Sequence, residues 1–298
     1  MVALQYRVLD SFSSIAFGGN PAAVIILDTP LPEQTMQLIA REFNISETAF
    51  VVRTDKPDYF DLRWFTPALE ALICGHATLA SAAVLGLPRA VFRTKYAGEL
   101  IVTKISEDSY EMEFPAGTLV DASVEVKQKV LPAIGKLFGV DTPPVVQVST
   151  GGPGFGHFLF VRLADGFDLA GQKATPEALT DLFPPLRSTI ITCKPAALVY
   201  PDTDYLSRVF VPVAGIPEDP VNGSSQCLLG PYWSSVYSTD KALRVRQVSS
   251  RGGDLIVQHV KETGKVKIGG KAVETAIGEV YIPDALVPSS KAATLHNM

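Results

Sequence analysis

Two turns and two carboxylates are the places where this sequence could do chemistry. Cys74-Gly75-His76-Ala77-Thr78 and Asn222-Gly223-Ser224-Ser225 each set a glycine and a polar residue just ahead of an apolar run that reads as a helix. The first backbone N–H groups of a helix lack intrahelical partners, and the helix dipole adds partial positive charge there. Gly75-His76 and Gly223-Ser224 would each cradle an anionic or enolate-like ligand; the same glycines could equally serve only close helix packing. Glu47 stands between Ser46 and Thr48, where the chain enters the apolar stretch 49–52. A carboxylate drawn into such a strand is desolvated, which disfavours its charge and suits it to carrying a proton. An exposed glutamate at a strand edge is the plain alternative. Asp219, in Pro217-Glu218-Asp219-Pro220, could orient His76 or a substrate amine, or simply mark a turn. His76 reads either as a catalyst or as a satisfied core histidine. Cys74 is a weaker nucleophile candidate at a helix amino terminus, and a two-thiol proton exchange would need a second cysteine where Asn222 stands.

Composition removes other classes of chemistry. The chain has 298 residues, 47% hydrophobic and 19% charged, enough for two ordinary domains and a sizeable core. Its 26 Lys and Arg against 31 Asp and Glu give a net charge of −5 with no basic block, which argues against nucleic acid as a partner. Cys74, Cys193 and Cys227 are too far apart for a disulfide framework and fit reduced, cytoplasmic thiols. The four histidines (His76, His157, His259, His296) show no metal-binding spacing, so no metal is expected. Gly151-Gly152-Pro153-Gly154-Phe155-Gly156 lacks the order of a phosphate loop and precedes a strand, so no nucleotide cofactor is expected. The residues from Met1 to Arg7 show no signal-peptide pattern. The apolar segment 71–87 is shorter than the roughly 20 residues of a membrane span and reads as a core helix of a soluble protein.

The elements that must position these residues follow from periodicity. Strands are expected at 5–10, 22–27, 48–53 and 60–65, with a helix between the second and third. Its apolar positions Met36, Ile39, Ala40 and Phe43 share one face, and Asn44 suits a left-handed end. A buried helix near 75–87 precedes a hairpin of 99–104 and 110–114. Pro115-Ala116-Gly117 marks a boundary, giving domains 1–118 and 119–298, with the last strand or tail free to pack back on the first half. The second domain is expected to hold a helix near 124–138 interrupted at Pro132, strands at 145–148 and 158–162, and a helix near 176–183. Strands at 196–200, 207–211, 243–248, 254–260 and 265–270 follow, and 289–298 reads as a frayed tail.

The halves echo one another. Phe65-Thr66-Pro67 leads through a spacer to the first turn and its helix. Phe210-Val211-Pro212 leads, through a spacer three residues longer, to the second. Two related halves usually enclose a small-molecule site between them.

Together these blocks resemble the phenazine biosynthesis PhzF-like family, whose fold is similar to diaminopimelate epimerase. The resemblance rests on Gly19-Asn20-Pro21-Ala22-Ala23-Val24, Ser46-Glu47-Thr48-Ala49-Phe50 and Arg63-Trp64-Phe65-Thr66-Pro67. It continues through Cys74-Gly75-His76-Ala77-Thr78 and Glu218-Asp219-Pro220-Val221-Asn222-Gly223-Ser224 to Pro231-Tyr232-Trp233. It implies an α/β (α+β) chain of two similar domains, each a curled mixed sheet around a central helix. It further implies an active site between them and a homodimer. Glu47 matches the family's acid/base; His76, Asp219 and Ser224 match residues of binding and proton relay. Asn20, Ser46, Gly75 and Gly223 complete the expected substrate-binding set. The best-understood members isomerise a dihydro-hydroxyanthranilate without metal or organic cofactor. Two departures stand beside the turn: Gly223-Ser224-Ser225-Gln226 replaces a common G-S-A-H, and Asn222 replaces a frequent Thr.

The expectation is therefore a cofactor-independent isomerase or epimerase moving a proton on a small carboxylated or amino-cyclic metabolite, with Glu47 as acid/base. Cyclisation or rearrangement of a larger secondary metabolite in the same pocket is a second reading, motivated by Asn222 and Gln226. A non-catalytic binding protein of the same fold is a third.

Overall fold

A computed structural model describes residues 1–182, 186–212 and 216–287 of the chain. The tail from Ser289 onward lies outside the described residues. The chain divides into two units, Met1–Met112 with Gly270–Met298, and Glu113–Gly269. The first unit thus takes back the carboxy-terminal segment, and the second ends at Gly269. The boundary falls inside a strand at 112–113, a few residues before the Pro-Ala-Gly turn that marked it in the sequence.

The first unit opens with β1 (Val2–Ser11), β2 (Asn20–Leu27), α1 (Glu33–Phe43) and β3 (Glu47–Arg53). Next come β4 (Tyr59–Phe65), a two-residue β5 (Glu70–Ala71) and α2 (Gly75–Leu85). The series β6 (Arg89–Thr94), β7 (Glu99–Lys104) and β8 (Ser109–Pro115) follows. α1 buries Met36, Ile39 and Ala40, and Asn44 closes it at φ 50° as its type allows. Residues 75–82 of α2 are all buried, because the helix is apolar on every side and strands surround it. Gly86, at φ 65°, ends it in the left-handed conformation. β6 was not anticipated: Arg89-Ala90-Val91-Phe92 alternates only briefly. β1 runs antiparallel to β2, β2 parallel to β3, β3 antiparallel to β4, and β4 parallel to β6. β6, β7 and β8 then form antiparallel pairs.

The second unit adds β9 (Leu119–Asp121), α3 (Val124–Phe138), β10 (Val145–Gly151) and β11 (Phe158–Leu163). A 3₁₀ helix (Pro176–Leu182) leads to β12 (Ser188–Cys193), β13 (Tyr205–Val211) and β14 (Ile216–Asp219). α4 (Gln226–Val236), β15 (Leu243–Gln247), β16 (Gly253–Val260) and β17 (Lys265–Ile282) complete the order. Its strand pairing repeats that of the first unit step for step. β10 is antiparallel to β11, β11 parallel to β12, β12 antiparallel to β13, β13 parallel to β15, and β15 to β17 antiparallel in turn. The short strands β5 and β14 and the central helices α2 and α4 occupy matching places, so the echo in the sequence is an echo of topology.

Three expectations need correction. α3 runs unbroken through Pro132. The hydrogen bond Pro132 forgoes belongs to the exposed residue Gln128, while Val130, Ala133, Ile134 and Leu137 bury one face. Residues 196–200 form a turn, not a strand. Val199 N donates to Ala196 O at 3.0 Å, and Leu198 is 98% exposed. The strand nearby is instead β12, six buried residues ending just before Lys194-Pro195. β17 continues twelve residues past its expected end, pairing antiparallel with β1 from Val2↔Ile282 to Ser11↔Ala272.

Candidate active site

Glu47 is the first residue of β3, opposite Ala22 of β2. Asn20 begins β2, Cys74 caps α2, and His76 is the second residue of that helix. Folding brings these four side chains together around the imidazole of His76. Its Nε2 lies 3.0 Å from Glu47 Oε2, ion-pair distance. Neither atom has a hydrogen-bond partner, so the pair faces each other out of hydrogen-bond alignment. On the other side of the ring, Nδ1 lies 3.2 Å from Asn20 Nδ2 and 3.5 Å from Cys74 Sγ. Ser11 Oγ donates to the His76 carbonyl at 2.8 Å, fixing the backbone. Gly19 precedes Asn20 at φ 62°, and a Cβ there would collide with the Ser11 carbonyl, so only glycine brings the two stems this close. Ser46 sits half-buried in the turn before β3.

Burial differs within the group. His76 is 4% exposed and Cys74 5%, whereas the Glu47 side chain keeps 14%, the most open of the three. Burial, reinforced by the Glu47 charge, pushes the Cys74 thiol up. Burial alone would hold His76 down, but Cys74 and Glu47 at its two nitrogens outweigh it and raise the imidazole well above its ordinary range. Glu47, Cys74 and His76 offer metal-type donor atoms within 4.8 Å of one another. Yet the thiol meets one ring nitrogen and the carboxylate the other. A single ion takes only one nitrogen of a histidine, so the arrangement is a chain rather than a cage.

The second unit builds its own polar group. Asp219 ends β14, and Asn222 Nδ2 donates to its Oδ2 at 2.7 Å. Asn222 Oδ1 accepts from Ser224 Oγ at 3.0 Å and from the Ser225 N–H at 2.7 Å. Two buried glutamines hold the frame. Gln247 donates to the Asp219 carbonyl and accepts from Asn222 N. Gln226 accepts from Tyr205 OH at 2.8 Å and donates to the Asn222 carbonyl. Gly75 opens α2 directly, as expected. Gly223 and Ser224 do not open α4; they form a turn ahead of it, with Ser225 at the cap. Gln226 is fully buried, so this departure frames the turn from within instead of lining a pocket.

The sequence reading missed a matched pair of ion pairs. Arg63 of β4 grips Glu70 of β5 through two bonds of 2.6 and 2.7 Å. Arg208 of β13 grips Glu218 of β14 through two bonds of the same lengths. Each fork pins the short strand that leads into the helix turn. The signal was present: Arg63-Trp64-Phe65-Thr66-Pro67 and Arg208-Val209-Phe210-Val211-Pro212 share R-x-F-x-P.

The sequence and the fold resemble those of known proteins. A family model described as phenazine biosynthesis-like protein (PhzC-PhzF) matches residues 9–278. A phenazine biosynthesis-like domain-containing protein of Mus musculus is 39% identical over 291 residues, covering 91% of this chain and 96% of its own. An uncharacterized isomerase of Pseudomonas aeruginosa is 36% identical over 288 residues, covering 94% and 99%. A crystal structure of a PhzF-family protein from Enterococcus faecalis superposes with a TM-score of 0.80 at 36% identity, over 94% of this chain and all of that one.

Proposed function

This chain belongs to the phenazine biosynthesis-like family, and on that premise we propose that it is an isomerase in which Glu47 moves a proton between two positions of a small carboxylated or amino-cyclic metabolite. The observation that carries the reading is the Glu47–His76 pair, 3.0 Å apart, with a buried imidazole behind a carboxylate that keeps some exposure. Glu47 takes a proton from an activated carbon, and its other oxygen stays beside His76. The same carboxyl group then returns the proton to a different carbon or to the opposite face. His76, biased towards its protonated form, offsets negative charge that develops nearby. The amides at the start of α2 supply further donors of the kind an enolate needs. The names of relatives described as isomerases support this class of reaction. Gln226 is buried, so of the two residues that motivated a cyclisation reading only half-buried Asn222 still favours it.

Positioned acid–base catalysis contributes about 10²–10⁴-fold. Glu47→Gln is expected to reduce solvent-deuterium incorporation into a panel of amino, hydroxy and cyclic-diene carboxylates by at least about 10²-fold, with an unchanged circular dichroism spectrum. Equal incorporation by the variant and the parent would remove Glu47 from the mechanism.

A further inference from the structure

We propose that Cys74 is a positioning residue for His76: its thiol partners the Nδ1 side of the ring in either protonation state, so that the protonated ring beside Glu47 keeps an acceptor there. The geometry comes first. Cys74 Sγ is 3.5 Å from Nδ1, while Glu47 Oε2 is 3.0 Å from Nε2. The chemistry of the thiol supplies the rest. A thiol is both a weak donor and a weak acceptor. Beside a neutral ring its S–H donates to Nδ1; beside a protonated ring its sulfur accepts the Nδ1 proton. The Asn20 amide nitrogen, 3.2 Å from Nδ1, is a donor only and serves just the neutral ring. In both states the remaining ring proton is left at Nε2, and a histidine's tautomer is set by what its other nitrogen meets.

Among the described residues, four have contacts with His76 from the elements packed on it. From β3 it is Glu47, from the head of α2 it is Cys74, and from β1 and β2 the uncharged Ser11 and Asn20.

The inference rests on Glu47 as the acid/base, but nitrogen NMR reads His76 without any substrate, so the two can fail separately. The full chain holds four histidines, and His76→Gln assigns the signal. The parent is expected to show an Nε2-protonated ring with a midpoint above that of ordinary histidine. In Cys74→Ala the midpoint should shift to lower pH, because the protonated ring loses its acceptor at Nδ1 while Asn20 still serves the neutral one. Cys74→Ser, again donor and acceptor, should restore the parental midpoint. A His76 signal in Cys74→Ala with the parental midpoint would overturn the proposal. A check on the parent alone guards against a variant that does not fold. The infrared S–H band of Cys74, assigned by its loss in Cys74→Ser, should move as His76 titrates, while those of Cys193 and Cys227 stay put. A Cys74 band that does not move would equally overturn it.

Discussion

Asn222 shows how much one side chain can organise. Its amide nitrogen holds the Asp219 carboxylate while its oxygen receives Ser224 and the backbone of Ser225. Replacing that amide with a carboxylate turns a donor into a second negative charge at 2.7 Å. Two carboxylates so close cannot both ionise cheaply, so in Asn222→Asp one of them keeps a proton in the folded chain after the unfolded chain has released it. Folded-state stability should then fall as pH rises from about 4 towards 7. The expected outcome is a urea midpoint lower at pH 7 than at pH 5, by more than any change the parent shows over the same range. The legibility of individual residues was uneven. Glu47 could be singled out because it stands where a polar turn becomes an apolar strand. Gln247 could not: it lies 25 residues beyond Asn222, and only the register of β15 on β13 brings it back. The contact of Cys74 with His76 depends on the first turn of α2, which local sequence does not specify to the atom.

At the scale of elements, periodicity found the long strands and helices, and the repeated F-x-P foreshadowed the repeated topology. Very short strands escaped, because β5 and β14 have no pattern of their own. They exist as strands because an arginine on the neighbouring strand grips them. The two forks differ in setting. Arg208 is 7% exposed at its side chain and Glu218 18%; Arg208 also donates to the carbonyls of Leu169 and Gln172. Arg63 is 25% exposed, and its partner Glu70 also has Lys95. Removing one member of a buried pair costs about 3–5 kcal/mol because the other charge is stranded. Arg208→Ala is therefore expected to lose about that much in urea unfolding. Arg63→Ala should lose clearly less, since Lys95 remains to pair Glu70. Equal losses would show that burial does not separate the two.

Across the whole molecule, ionisable groups buried with their protons tie stability to pH. Burial pushes Cys193 and Cys227 up to about 12 and raises Cys74 as well; His76 is raised by its two neighbours against burial. Each keeps its proton in the folded chain after the unfolded chain has lost it, so stability falls as pH rises. The loss begins at about pH 6.5 with His76 and steepens above about pH 8.5 with the thiols. Burial holds His157 and His259 below their ordinary value, which acts in the opposite sense but is complete at lower pH. Between pH 8 and pH 10 the urea midpoint should therefore drop, and Cys193→Ala or Cys227→Ala should each flatten the drop. No described helix is long and apolar enough to cross a membrane.

The eighteen residues of β17 serve the second unit at their start, on β16, and the first at their end, on β1. On the ribosome the amino-terminal unit must therefore wait. Its opening strand is made within the first dozen residues, yet the segment that covers that strand emerges some 260 to 280 residues later. Throughout that interval β1 offers a bare edge to any passing chain.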